Sequence, residues 1–166
     1  MMMNRGILAA LFTLALSFGI AAAGDAGAAE KAKPIYPAGA KPIAPYSPGM
    51  QYGDLLFISG QIPYVNGAIP ADASDGVDDV QDQTRIVMEN LQSVLVEAGM
   101  SFENVLKATV FITDMKFYGD FNKVYGPYWT DNGLTPPARA AVEVGALPGS
   151  KPGAPVLVEV SMIAGK

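Results

Sequence analysis

The chain has 166 residues, a formal net charge of −5, and neither cysteine nor histidine, a length that suits a single domain. With 11 basic residues against 16 acidic ones, little remains to build the basic stripe that phosphate binding requires, which argues against nucleic acid as a main partner. The missing residue types exclude the usual zinc and iron–sulfur ligand sets, serine–histidine and thiolate nucleophiles, and any disulfide framework, so chemistry falls to carboxylate, arginine, lysine, hydroxyl and backbone groups.

At the start of the chain, Arg5 precedes an apolar stretch from Ile7 to Ala23, and small residues offer A-x-A cleavage sites at Ala21 to Ala23 and Ala26 to Ala28. This predicts a secretory leader over residues 1–29, cleaved so that the mature chain begins between Gly24 and Glu30, and a domain over residues 30–166. The alternative is an uncleaved anchor, since the stretch is near the minimum length for a span of about 20 residues, but the small residues at its end and the cleavage sites that follow at once favour cleavage. The expectation is therefore an exported, soluble domain, periplasmic in a bacterium and without a stable membrane anchor.

From Ala29 to Gln51 the chain is rich in Pro, Ala and Gly, which forbids a helix and permits at most a short edge strand. The run GDLLFISGQIP, Gly53 to Pro63, reads as a strand buried on both faces, and Asn66-Gly67 after it signals a hairpin or tight loop. From Asp78 to Ala98, apolar residues at Val80, Val87, Leu91, Val94, Leu95 and Ala98 keep one helical face, with acidic residues in the first turn and Gly99 past the end.

Val105 to Thr113 is β-branched and reads as a central strand. Phe117 to Thr130 reads as a shorter helix, with aromatic residues at 117, 121, 125 and 128, that Gly126-Pro127 should kink or end. Two last strands, Ala138 to Val144 and Val156 to Ala164, flank a Gly/Pro stretch. In the final strand Val156, Val158, Val160 and Met162 share one face, opposite Leu157, Glu159 and Ser161. In the strand before it Ala140, Val142 and Val144 oppose Arg139, Ala141 and Glu143, which suggests one valine core face and a second face holding small, apolar and charged residues together.

The order strand, strand, helix, strand, helix, strand, strand predicts an α+β single domain: a mixed β-sheet with two helices packed on one face. No helices remain for the other face. Because LLFIS and VLVEV are apolar on both sides, that open face should be buried by other copies of the chain, making a homo-oligomer.

The ordered set APYSPGMQYGDLLFISGQIP, ENLQSVLVEAG, VLKATVFITDM, FNKVYGPYW, PPARAAVEVGALP and VLVEV resembles the Rid (reactive intermediate deaminase) family, also called YjgF, from about Pro42 to Ala164. The resemblance implies a chorismate-mutase-like fold, a homotrimer with active sites in the clefts between subunits, and RidA-like hydrolysis of 2-imino acids and their enamine tautomers to 2-keto acids and ammonia, without metal or cofactor. Carried over by motif, it implies catalytic roles for Arg139 and Glu159, and substrate-binding roles for Tyr46, Ser59, Gly60, Asn122, Arg139 and Ala141. The sequence departs from the usual pattern at Ala44, where a glycine is common before the Pro-Tyr pair, and at Ala141, which is cysteine in some members.

The chemistry fits these residue types. A guanidinium fork grips a carboxylate through two parallel hydrogen bonds, which gives Arg139 a task; the structural alternative is an ion pair with Glu143. Glu159, set among Leu157, Val158 and Val160, suits a carboxylate of raised pKa that relieves water of a proton as it adds to the imine carbon and returns one to departing ammonia. Tyr46 would close the pocket, and Ser59 with the Gly60 backbone would hold the water. The competing functions are endoribonuclease activity, attributed to some relatives but at odds with the acidic balance, and a noncatalytic exported trimer that binds small carboxylates or acts as a chaperone.

Overall fold

The computed structural model describes residues 31–166; the expected leader over residues 1–29 lies outside them. Strands β1 (Lys33–Ile35), β2 (Gly49–Tyr52) and β3 (Leu55–Gln61) lead into helix α1 (Asp79–Glu97); β4 (Val105–Ile112), α2 (Tyr118–Tyr125), α3 (Pro127–Thr130), β5 (Ala138–Glu143) and β6 (Val158–Gly165) follow. The strands form one six-stranded sheet in the order β1-β2-β3-β6-β4-β5. Only β4 and β5 run parallel, so the sheet is mixed, as the element order predicts.

The α1 stripe lies where the periodicity puts it: Val80, Val87, Leu91, Val94, Leu95 and Ala98 are all buried against the sheet. Its buried polar residues are fully engaged. Gln83 donates to the carbonyls of Ala73 (3.0 Å) and Pro155 (2.9 Å) and accepts from the Leu157 N–H (2.8 Å), pinning the chain just before β6. Asn90 donates to the carbonyls of Ile62 and Tyr64 and holds the exit of β3. Unpartnered, the fully buried Gln83 amide would cost about 1 to 3 kcal/mol.

The second helical stretch breaks at the predicted place. Pro127 has no N–H to continue α2, so α3 starts afresh with proline in its first turn. Phe121, Tyr125 and Trp129 are buried, and their rings pack in sequence at 5.1 and 4.5 Å between centroids.

Three expectations need correction. The Pro-rich lead-in contributes β1 at the sheet edge and also β2, which its composition concealed. The Asn66-Gly67 turn after β3, by contrast, makes the tight loop expected of it, with both residues at positive φ and an isolated bridge between Val65 and Ala68. Strand β3 is buried on one face alone in the single chain: Leu56 and Ile58 face α1, while Leu55 and Phe57 are 40% and 46% exposed.

Strand β5 also departs from expectation. Its register pairs Arg139 with the buried Ala108, Ala141 with Val110 and Glu143 with Ile112. Directly paired residues share a face, so Arg139, Ala141 and Glu143 point to the helix side, and Ala140 and Val142 to the open side. The alternation was right and its polarity inverted, because β5 is an edge strand whose helix side meets the aromatic flank of α2 instead of the aliphatic stripe of α1. Val156, Val158, Val160 and Met162 are buried as expected, which leaves Glu159 and Ser161 on the open face.

Candidate active site

Strand β3 pairs regularly with β6 up to Ile58–Met162, and the next pair is Gln61–Val160. Ser59 and Gly60 thus stand against Ser161 alone, a β-bulge at the middle of the open face. Glu159 emerges beside it. A Cβ on Gly60 would lie 2.6 Å from the Glu159 carboxyl carbon and nearer still to Oε1, so the carboxylate occupies the space that any other residue at position 60 would fill. On its other side Glu159 is paired with Phe111 of β4.

The result is a half-buried carboxylate flanked by a glycine backbone and an aromatic ring. None of the ion pairs among the described residues includes it. Burial raises its pKa above the ordinary 4.5, because removing water penalises the charged form. A carboxylate so placed is poised to take a proton and to give it back.

The bulge also fastens the loop that carries Tyr46. The Ser59 hydroxyl donates to the Ser47 carbonyl at 2.7 Å, and the Ser59 N–H donates to Pro48 at 3.0 Å. The hydroxyl proton is therefore engaged, and Ser59 offers an approaching water only its oxygen lone pairs. Tyr46 lies exposed at the rim of an open hollow of about 480 Å³ shared with Tyr36, Pro42, Ala44, Pro45 and Ser47.

Arg139 belongs to a second cluster on the opposite side of the sheet. Its Nη2 donates to the Tyr118 hydroxyl at 2.8 Å, and its guanidinium carbon lies 4.7, 5.5 and 5.6 Å from the ring centroids of Tyr125, Tyr118 and Phe121. Residues 118, 121 and 125 share one face of α2. The ion pair with Glu143 does not form: the Glu143 carboxylate instead accepts from the Met115 N–H at 2.7 Å. Cation–π contacts hold a guanidinium by about 0.5 to 2 kcal/mol each without satisfying its N–H donors. Arg139 is thus half-buried, braced by aromatic rings and free to take an anion.

Ala141, two residues on, packs partly buried against the main core. Asn122 follows Tyr118 by four residues, and its side chain has no hydrogen-bond partner among the described residues. The burial of Tyr125 pushes its phenol pKa up to about 12, against a smaller opposing pull from Arg139. Its hydroxyl, and the indole N–H of Trp129, are buried without partners.

The expected site residues therefore form two half-sites. Glu159, Gly60, Ser59 and the Tyr46 loop gather on the open face; Arg139, Ala141 and Asn122 gather at the helix-side edge. They do not meet within one chain. Tyr118, which sequence reasoning missed, is the only hydrogen-bond partner of Arg139 among the described side chains. The usable signal was the 118/121/125 spacing, one residue out of phase with the aromatic stripe counted from Phe117.

Residues 38–166 match the family model described as endoribonuclease L-PSP. A RutC family protein of Pyrococcus horikoshii is 42% identical over 126 residues, covering 76% of this chain and 90% of that protein. TdcF of Escherichia coli K12, provisionally named a reactive intermediate deaminase, is 41% identical over 108 residues, covering 64% of this chain and 78% of its own length. The crystal structure of Escherichia coli TdcF with bound serine superposes with a TM-score of 0.70 at 37% identity, over 81% of this chain and 98% of that one. The YjgF gene product from the same organism gives a TM-score of 0.65 at 32% identity, over 75% and 91%.

Proposed function

The chain belongs to the endoribonuclease L-PSP family, the family of the Rid proteins, and from that membership we propose that it hydrolyses reactive 2-imino acids and their enamine tautomers to 2-keto acids and ammonia. The observation that carries this reading is the division of labour between the half-sites: an arginine braced by aromatic rings and a half-buried carboxylate, neither with an oppositely charged partner among the described residues. One suits the substrate's carboxylate and the other its C=N carbon.

The two halves come together if the open face is an interface. Leu55, Phe57, Leu106 and Val142 are each between 40% and 55% exposed, and a face bearing so many apolar side chains calls for cover. In a trimer, the edge of one copy carrying Arg139, Ala141 and Asn122 abuts the open face of the next, and Arg139 reaches the cleft beside its neighbour's Glu159. A homotrimer has three such clefts.

In that cleft Arg139 holds the carboxylate through a fork of charge-assisted bonds. Ionised Glu159 accepts a proton from water as its oxygen bonds to the iminium carbon, and the C=N π pair moves to nitrogen. Glu159 then delivers that proton to the carbinolamine nitrogen, and the hydroxyl lone pair re-forms the C=O bond as the C–N bond breaks and ammonia leaves. The hydroxyl proton passes through the ionised Glu159 to ammonia, giving the keto acid and ammonium with Glu159 ionised again. The iminium carbon is already electrophilic, so positioning and one acid–base group supply the catalysis. The serine held by TdcF supports a ligand of this kind, small and bearing a carboxylate.

The acidic balance and the absence of histidine argue against endoribonuclease action here. Coupling a purified amino acid oxidase to the protein and following imine decay by semicarbazide trapping tests the reading: accelerated loss of the trappable imine is expected, and an unchanged decay rate contradicts it.

A further inference from the structure

Tyr118 stands in an unusual position for a residue that merely braces a neighbour. Its hydroxyl accepts a hydrogen bond from Arg139 Nη2 at 2.8 Å, and its own proton has no acceptor among the described residues. A phenol oxygen accepts and donates at once, and polarisation by the guanidinium sharpens its O–H as a donor. Tyr118 is half-buried, so its ring is fixed against Arg139 while the hydroxyl is not sealed in the core. Nη2 carries two N–H groups. With one on Tyr118, the other faces any anion gripped by the fork, which brings that anion's oxygen within reach of the phenol proton.

We propose that Tyr118 is a further substrate-binding residue, donating its hydroxyl proton to the same carboxylate that Arg139 holds. This rests on the deaminase reading above and deepens it: the ligand class is narrowed to anions whose charge lies on two oxygens, because the two fork donors and the phenol proton together call for an acceptor at both positions. A carboxamide presents one acceptor oxygen and a donor NH₂, so whichever way it sits the NH₂ opposes one of the three donors, on the fork or on Tyr118. Carboxylates are thereby selected over amides beyond what charge alone provides.

The test measures affinity for pyruvate and for pyruvamide by calorimetry in wild type, Tyr118→Phe and Arg139→Ala, with imine turnover alongside. A lost hydrogen bond to a charged group should weaken pyruvate binding in Tyr118→Phe by about ten- to a hundredfold. Pyruvamide, neutral and with one acceptor oxygen, should lose several-fold less than pyruvate, and the kinetic defect should fall on KM more than kcat, as for an interaction equally strong in ground and transition states. Equal losses for pyruvate and pyruvamide would reduce Tyr118 to a wall of the pocket, and unchanged pyruvate affinity would remove it from the site; either overturns the inference while Arg139→Ala still reports on the deaminase reading. A wild type that neither binds pyruvate nor deaminates imines contradicts that reading, and this inference falls with it.

Discussion

The Glu159 carboxylate lies against the Cα of Gly60, where even a methyl group would come within 2.6 Å of its carboxyl carbon. The relationship binds a local backbone feature to a chemical one. The bulge at Ser59-Gly60 brings the strand close, glycine leaves the room, and the carboxylate fills it.

Gly60→Ala should therefore push the carboxylate aside while leaving the fold in place. A displacement of about 1 Å in a positioned catalytic group costs on the order of a hundredfold in rate. Steady-state kinetics with an oxidase-generated imine should show that loss in kcat, with a circular dichroism spectrum like that of wild type; near-normal turnover would mean the seat of Glu159 is not critical.

The raised pKa of Glu159 gives a pH signature. As the base that receives water's proton it must be ionised, so the acid limb of kcat/KM should lie above the ordinary 4.5 and be absent from the residual activity of Glu159→Gln, whose kcat should fall roughly 10²- to 10⁴-fold. Stability follows the opposite course. The folded chain holds this proton more tightly than the unfolded one, so the contribution is complete below the unfolded pKa and fades as pH rises through the folded value. Glu159→Gln should match wild type in acid and melt higher at neutral pH; a lower melting temperature there would contradict desolvation as the cause.

Assembly should depend on the open face. Phe57→Glu sets a charge among Leu55, Leu106 and Ile163 on that face, and the variant should sediment as a folded monomer without deaminase activity, where wild type sediments as a trimer at micromolar concentration. An active Phe57→Glu monomer would place the whole site in one chain.

Export is a separate expectation. Mass spectrometry of the natively produced protein should find an N-terminus between Gly24 and Glu30; an intact Met1 in a cytosolic fraction would contradict it.

Much of this was legible in the sequence because periodicity reports burial directly. The α1 stripe, the alternation of β6 and the Gly126-Pro127 break follow from local rules that tertiary contacts reinforce. What stayed hidden depends on partners across space. The polarity of β5 was inverted because alternation defines two faces without naming which one meets the helices, and Arg139 settles on the helix side because the α2 rings accept a cation there. Strand β2 was masked by its proline-rich surroundings. The bulge that seats Glu159 is a register shift that Ser59-Gly60 alone does not announce, and the Tyr118 contact joins two elements distant in sequence.

The central claim is that Arg139 of one copy and Glu159 of the next form one site, and complementation tests it most directly. Arg139→Ala should lose on the order of a hundredfold or more in kcat/KM, since truncating one member of a buried charge pair costs about 3 to 5 kcal/mol, and Glu159→Gln should be similarly inert. Unfolded together in equal amounts and refolded, the two variants should form mixed trimers in which about one cleft in four pairs an intact arginine with an intact glutamate. The mixture should regain about a quarter of wild-type activity. A mixture no more active than its parents, with mixed trimers verified by native mass spectrometry, would contradict the shared site.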